Sequence, residues 1–268
     1  MWNSVKIVLS ENWNNRYRMI RLANYELKSQ NYGTMFGFLW NFLNPILQIF
    51  TYWFVFSIGL RQEAPQEGVP YIIWMIVGLI PWFFMSTALQ ASTNSIYSYA
   101  GILKRMKFPL AIVPVKTVFA QFFGHLWAML IVFIVMIFAG ITFSFKNIQL
   151  LYFMFCTLCF LIAFALMFSA ITVLFKDFQK ILSSVIRLLF YITPIVWNPE
   201  TLPEHLQPIL RLNPFYYLVE GYRESLISPY GLLYHKEDMI YFWIVTILLF
   251  VFGCQVHIKF KRQFIDLL

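Results

Sequence analysis

The 268-residue chain predicts an all-α polytopic membrane protein with six transmembrane helices, an amino-terminal interfacial amphipathic helix and short re-entrant helices before the last span. Three observations predict it. The composition is 60% hydrophobic, 20% aromatic and only 12% charged, with a mean hydropathy of +0.67, whereas soluble domains carry about 25% charged residues. The apolar residues gather into runs long enough to cross about 30 Å of hydrocarbon at 1.5 Å per residue. The charges lie between those runs, and Arg187 alone interrupts one.

Residues 1–34 are too polar to span. Trp2, Val5, Ile7, Val8 and Leu9 alternate with polar residues, and Trp13, Tyr17, Ile20 and Tyr25 follow among basic ones. One or two helices lying in the membrane interface suit that pattern, with aromatic rings in lipid and basic groups on headgroups. The stretch has no apolar core and no small-residue cleavage site of the kind a secretory signal needs. Spans one to five fall within 35–197, and the charge-free runs are Met35–Leu60, Val69–Ile96, Thr117–Phe145, Ile148–Phe175 and Ile181–Trp197. Pro81 inside the second is tolerated in a membrane helix. The fifth is short and carries Arg187 near its start.

The segment 198–238 is different in kind. Five prolines and several carboxylates alternate there with apolar runs such as Phe215–Val219. It is too apolar for a solvated loop and too broken for a span, so two short helices dipping back into the bilayer are expected, supported by protein contacts. Met239–Ile258 is the sixth span, and 259–268 form a basic tail; the whole chain reads as one domain. Fourteen Lys and Arg fall on the side that holds both termini and five on the other, which places both termini in the cytoplasm of a plasma (inner) membrane protein. The basic balance therefore reflects topology and anionic lipid, not nucleic acid.

Enzymatic inventories are thin. No G-x-x-x-x-G-K-[ST] phosphate loop occurs, so the chain cannot itself hydrolyse ATP by that route. Cys156 and Cys159 have metal or redox spacing but lie mid-span with no second pair. His205, Glu204 and His235 in the outer segment are the residues a lipid-processing enzyme would use. An ion-coupled carrier finds no Asp or Glu in any span. Within the first span Asn41, Asn44 and Gln48, at spacings of three and four, share one helix face and so are candidates to line a polar path. Phe38, Trp40, Tyr191 and Trp197 offer aromatic faces as further candidates to line that path. Arg187 is expected to face the protein interior.

Five elements resemble the ABC-2 type permeases that export lipid-linked polysaccharides. They are Leu27-Lys28-Ser29-Gln30 with Gly37-Phe38-Leu39-Trp40 and Asn44-Pro45; Lys104 and Lys107-Phe108-Pro109 with Val113-Pro114; Lys176-Asp177; Thr193-Pro194-Ile195; and Asn213-Pro214-Phe215 with Glu220-Gly221-Tyr222-Arg223. The run from Trp197 to Arg223 is most similar to the membrane subunits of wall teichoic acid exporters. The resemblance implies a homodimer bound to two copies of a separate nucleotide-binding ATPase, which would bind the ATP and Mg, with no cofactor in this chain. It also implies a polyprenyl-pyrophosphate-linked polymer as substrate, teichoic acid in the first place and O-antigen or capsular polysaccharide as the alternative. It further implies that the loop Ile102, Leu103, Lys104, Arg105, Met106, Lys107 and Phe108 is the coupling element seated in the ATPase. Arg16, Arg18, Arg21 and Lys28, with Arg187, are then the groups that would meet the pyrophosphate, since Arg forks suit phosphate oxygens.

Overall fold

A computed structural model describes residues 2–30, 32–60, 68–103, 108–227 and 236–267, without the side chains of Phe38, Ile102, Leu103 and residues 262–267. The expected Lys104, Arg105, Met106 and Lys107, and His235, lie outside the described residues. The described chain is helical throughout: α1 (Trp2–Asn14), α2 (Arg16–Ser29), α3 (Trp40–Trp53, continued as a π-helix over Phe54–Gly59), α4 (Tyr71–Thr93), α5 (Ser95–Ser98), α6 (Ala100–Leu103), α7 (Ile112–Phe138), α8 (Gln149–Leu174), α9 (Phe178–Ile192), α10 (Gln207–Arg211), α11 (Pro214–Leu226) and α12 (Lys236–Leu267). Short 3-10 turns precede α3 and α8.

The core is built around α4, whose residues from Ile73 to Leu89 are buried on almost every side. A helix apolar all round sits inside a bundle rather than on its surface, and α3, α7, α8, α9 and α11 surround this one. The longest packing seam joins α8 to α12. There Gly253 faces the Ala163 carbonyl so closely that a methyl group would stand 3.0 Å from it; small residues permit such close crossing of membrane helices. Both chain ends meet at one end of the bundle, here the basal end, where Lys261 of α12 pairs with Glu11 of α1. The 3-10 turn Phe145–Ile148 and the start of α4 mark the opposite, distal end.

Among the described residues, five helices are long and apolar enough to cross a membrane: Trp40–Gly59, Tyr71–Thr93, Ile112–Phe138, Phe145–Leu174 and Lys236–Lys261. The fifth expected span, Ile181–Trp197, departs from expectation. Its helix runs from Phe178 to Ile192, 15 residues, or roughly 22 Å at 1.5 Å per residue. Contacts show how the short helix still traverses the bundle. Phe178 stacks on Phe168 near the basal end of α8, and Phe190 packs on Trp82 at the middle of α4. The non-helical Thr193–Trp197 then carries the chain on until the Val196 carbonyl accepts a 2.5 Å hydrogen bond from Tyr71 at the distal start of α4. Non-helical backbone rises faster per residue than helix, so the crossing is completed by a break rather than by more turns. The third span also differs, starting at Ile112 instead of Thr117; Pro114 falls in its first turn, where the missing N–H costs nothing.

Candidate functional site

The expected amide face exists and opens onto a cleft. Trp40, Asn41, Asn44 and Gln48 of α3 form one wall, Phe83, Phe84 and Thr87 of α4 the second, Gln121, Gly124 and His125 of α7 the third, and Leu27 of α2, with Gln30 just past its end, the basal floor. The volume is about 240 Å³, space for about eight waters at ~30 Å³ each. Five side-chain amides at this depth favour a hydrated cavity over lipid, because an unpaired polar group in hydrocarbon costs several kcal/mol. Among the described residues, no Asp, Glu, Lys or Arg lines it. Gln30, Thr87, Gln121 and His125 were not foreseen as lining. The pair Gln121 and His125, one turn apart in an otherwise apolar run, was the available signal.

His125 ties this cleft to the distal half. Its ring stacks on Phe84 at 4.7 Å, and its Nε2 lies 3.1 Å from the hydroxyl of buried Tyr222 on α11. Helix α11 is the deeper of the two expected re-entrant helices. Pro214 fills its first position and the Asn213 side chain accepts from the Phe215 N–H, a capping pair that starts the helix sharply. Phe215, Leu218, Val219 and Tyr222 then insert between α4 and α8.

Arg223 goes in with them and is 1% exposed. Its guanidinium lies 3.6 Å from the centre of the Trp74 ring, donates to the carbonyls of Pro194 and Ile195 at 2.8 and 2.6 Å, and pairs with Glu220 at 3.3 Å. Those two carbonyls belong to the break after α9, so Arg223 satisfies the backbone that the unfinished span leaves open. Neighbouring Glu224 is half-buried, and burial, with Glu220 and Asp238 nearby, pushes its carboxyl up to about 7. The ordinary Glu value is about 4.3, so between the two the folded chain holds this proton better than the unfolded chain. The contribution is therefore complete below about pH 4 and lost as pH rises through 7. We expect the apparent Tm of the purified protein to fall from pH 5 to pH 8, and Glu224→Gln to flatten that dependence; an unchanged slope in the variant assigns it elsewhere.

At the basal end α2 presents two stripes. Met19, Ala23 and Leu27 face α7 and are buried, while Arg18, Arg21, Tyr25 and Lys28 form the opposite, exposed stripe. Arg16 leaves that group: it lies over the rings of Trp13 and Tyr17 at 5.0 and 4.7 Å. Of the expected coupling loop, only Phe108 has a described side chain, and it is half-buried against Val5, Val8, Leu110 and Val113. It packs the loop's exit against this chain while part of the ring stays exposed. Lys116, placed outside the third span in the sequence reading, is wholly buried within α7 and paired with Glu26 of α2.

Other expected residues do not join the cleft. Tyr191 is exposed, and its carbonyl accepts from the Trp197 indole at 3.0 Å. Arg187 does not face the interior of this chain. The apolar stripe Leu182, Ile186 and Phe190 turns inward, and Arg187 lies on the exposed face, 3.2 Å from the Ser184 hydroxyl. Glu204 and His205 are exposed on a turn.

The chain is similar to known proteins over most of its length. Residues 18–227 match the model of the family described as ABC-2 type transporter. An O-antigen export system permease protein of Klebsiella pneumoniae is 28% identical over 257 residues, covering 93% of this chain and 94% of that protein. A protein of the same description from Myxococcus xanthus is 28% identical over 76% of this chain and 78% of its own length. A polysialic acid transport protein of Escherichia coli is 24% identical over 72% and 75%. With most of its length covered by one family model and five helices fit to cross a bilayer, the chain belongs to the ABC-2 type transporter family as a multi-pass membrane protein.

Proposed function

We propose that this chain is the permease subunit of an ATP-driven exporter of a lipid-linked polysaccharide, working as a homodimer with two copies of a separate ATPase. The similarity to O-antigen and polysialic acid exporters supports the substrate class. The observation that carries it is the cleft, whose described lining offers amides and aromatic faces without a fixed charge between helices fit to cross a membrane. Amides exchange hydrogen bonds with sugar hydroxyls, and aromatic faces let rings slide. The teichoic acid reading keeps its support in the run from Trp197 to Arg223. Both termini are then cytoplasmic, the basal end faces the ATPase, and the exposed stripe Arg18, Arg21 and Lys28 meets the arriving pyrophosphate.

The experiment isolates the tagged chain from native membranes and identifies the polypeptide and the lipid-linked species that travel with it. In the same complex, Asn44→Leu with Gln48→Leu removes two hydrogen-bonding groups worth about 1 kcal/mol each. Export is expected to slow roughly thirtyfold with the ATPase still bound. Undiminished export by the double variant would remove the cleft from the path.

A further inference from the structure

Lys116 presents a problem that stability does not solve. A lysine with no exposed surface is costly to keep charged, and a buried ion pair is often no more stable than apolar residues of similar volume. Its surroundings suggest another use. The ammonium pairs with Glu26 of α2, lies 3.9 Å from the centre of the Tyr99 ring, and is 3.4 Å from the Thr117 hydroxyl of its own helix. Three elements therefore meet on one charge. Tyr99 closes α5, and the chain passes from it into α6 and towards the basal loop. Glu26 is followed by Leu27, which touches Gly124 and, with Gln30, floors the cleft.

The rest of the buried α2 stripe, Met19, Ala23 and Leu27, is apolar. Apolar stripes hold helices together yet resist sliding weakly, because dispersion and burial are non-directional. A directed ion pair fixes register, which is the best-attested use of buried charge. Tyr99 adds a second constraint: a cation over a ring face is held by the ring quadrupole, so displacement of Tyr99 alters the balance on the same ammonium that holds Glu26.

We infer that the Lys116–Glu26–Tyr99 junction transmits movement of the basal loop to α2 and hence to the cleft floor, making Lys116 a positioning residue for transport. This rests on the exporter reading above, in which the basal loop meets the ATPase. The test uses the intact complex in membranes, with ATPase copurification, ATP hydrolysis and polymer export measured together. Lys116→Met alone strands Glu26, so the informative variant is Lys116→Met with Glu26→Met, which leaves no lone charge. It is expected to insert, to keep the ATPase bound and hydrolysing, and to lower export per ATP by about tenfold. Export per ATP within about twofold of the parent would overturn the inference, since a merely structural junction changes amount and not coupling. Should the double variant fail to accumulate, Tyr99→Leu decides, because it leaves the ion pair intact. A fall in export per ATP of about threefold supports the relay, and an unchanged ratio overturns it. Failure of any ATPase to copurify with the unsubstituted chain would instead refute the exporter reading.

Discussion

Arg223→Ala is expected to destabilise the protein by about 3–5 kcal/mol, since it leaves two buried carbonyls without donors at about 1–3 kcal/mol each and empties a large buried site. The loss has identifiable parts. The carbonyls of Pro194 and Ile195 lose their donors at the point where α9 has ended short of a full crossing, the Trp74 ring loses its cation, and the space of a large side chain opens between α4 and α11. Arg223→Lys is expected to recover only part of this, because a compact ammonium lacks the planar fork that serves two carbonyls and a ring at once. Gly78 supplies an internal check. A methyl group there would stand 2.5 Å from Arg223 Nη2, so Gly78→Ala should be harmful in the parent and benign beside Arg223→Ala. Thermal unfolding of the four proteins in detergent measures the cycle. Additive effects, or an Arg223→Ala protein within about 1 kcal/mol of the parent, would show that the break is held by something else.

This knot also shows where the sequence was readable. The expectation of re-entrant helices held because proline punctuation and apolar runs were both local signals, and α11 is built from them. Arg223 is one of the five basic residues on the distal side, and it follows Val219 by one turn and Tyr222 by one residue on the inserted stripe. The helical period is legible, but no local signal says that a charge on that stripe is buried. Lys116 escaped for a related reason. Spans were bounded by charge-free runs, so the third was begun at Thr117, and a lysine neutralised by a carboxylate ninety residues away fell outside it. Such pairings between distant segments leave no local mark.

Arg187 erred in the opposite direction. An intramembrane charge is expected to face protein, yet within this chain the stripe Leu182, Ile186 and Phe190 claims the inward face and leaves Arg187 outside it. The amide face of α3 was legible because its spacing alone fixes a shared side. The other walls of the cleft were not, since which helices stand opposite is decided by packing around α4.

Gly221→Ala is expected to be the most damaging single-methyl change in α11. The added Cβ would lie 2.0 Å from Cε1 and 2.1 Å from Cδ1 of Phe153, well inside any allowed contact. Relief by rotating the ring is obstructed: Phe153 is buried, with Tyr152 at 5.2 Å and Tyr217 at 5.5 Å. Either α11 or α8 must retreat, and overpacking of this kind costs about 3 kcal/mol at the upper end of its usual range. Shrinking the obstacle tests that account, so Phe153→Leu, mildly harmful alone, should rescue Gly221→Ala in thermal unfolding. An absence of rescue would locate the strain elsewhere. The functional consequence follows from Tyr222, the next residue, whose hydroxyl meets His125 Nε2. A displaced α11 withdraws that hydroxyl, frees a ring that stacks on Phe84, and loosens two walls of the cleft together. Gly221→Ala should therefore lower export more than the remaining folded protein accounts for, and Phe153→Leu should restore both quantities.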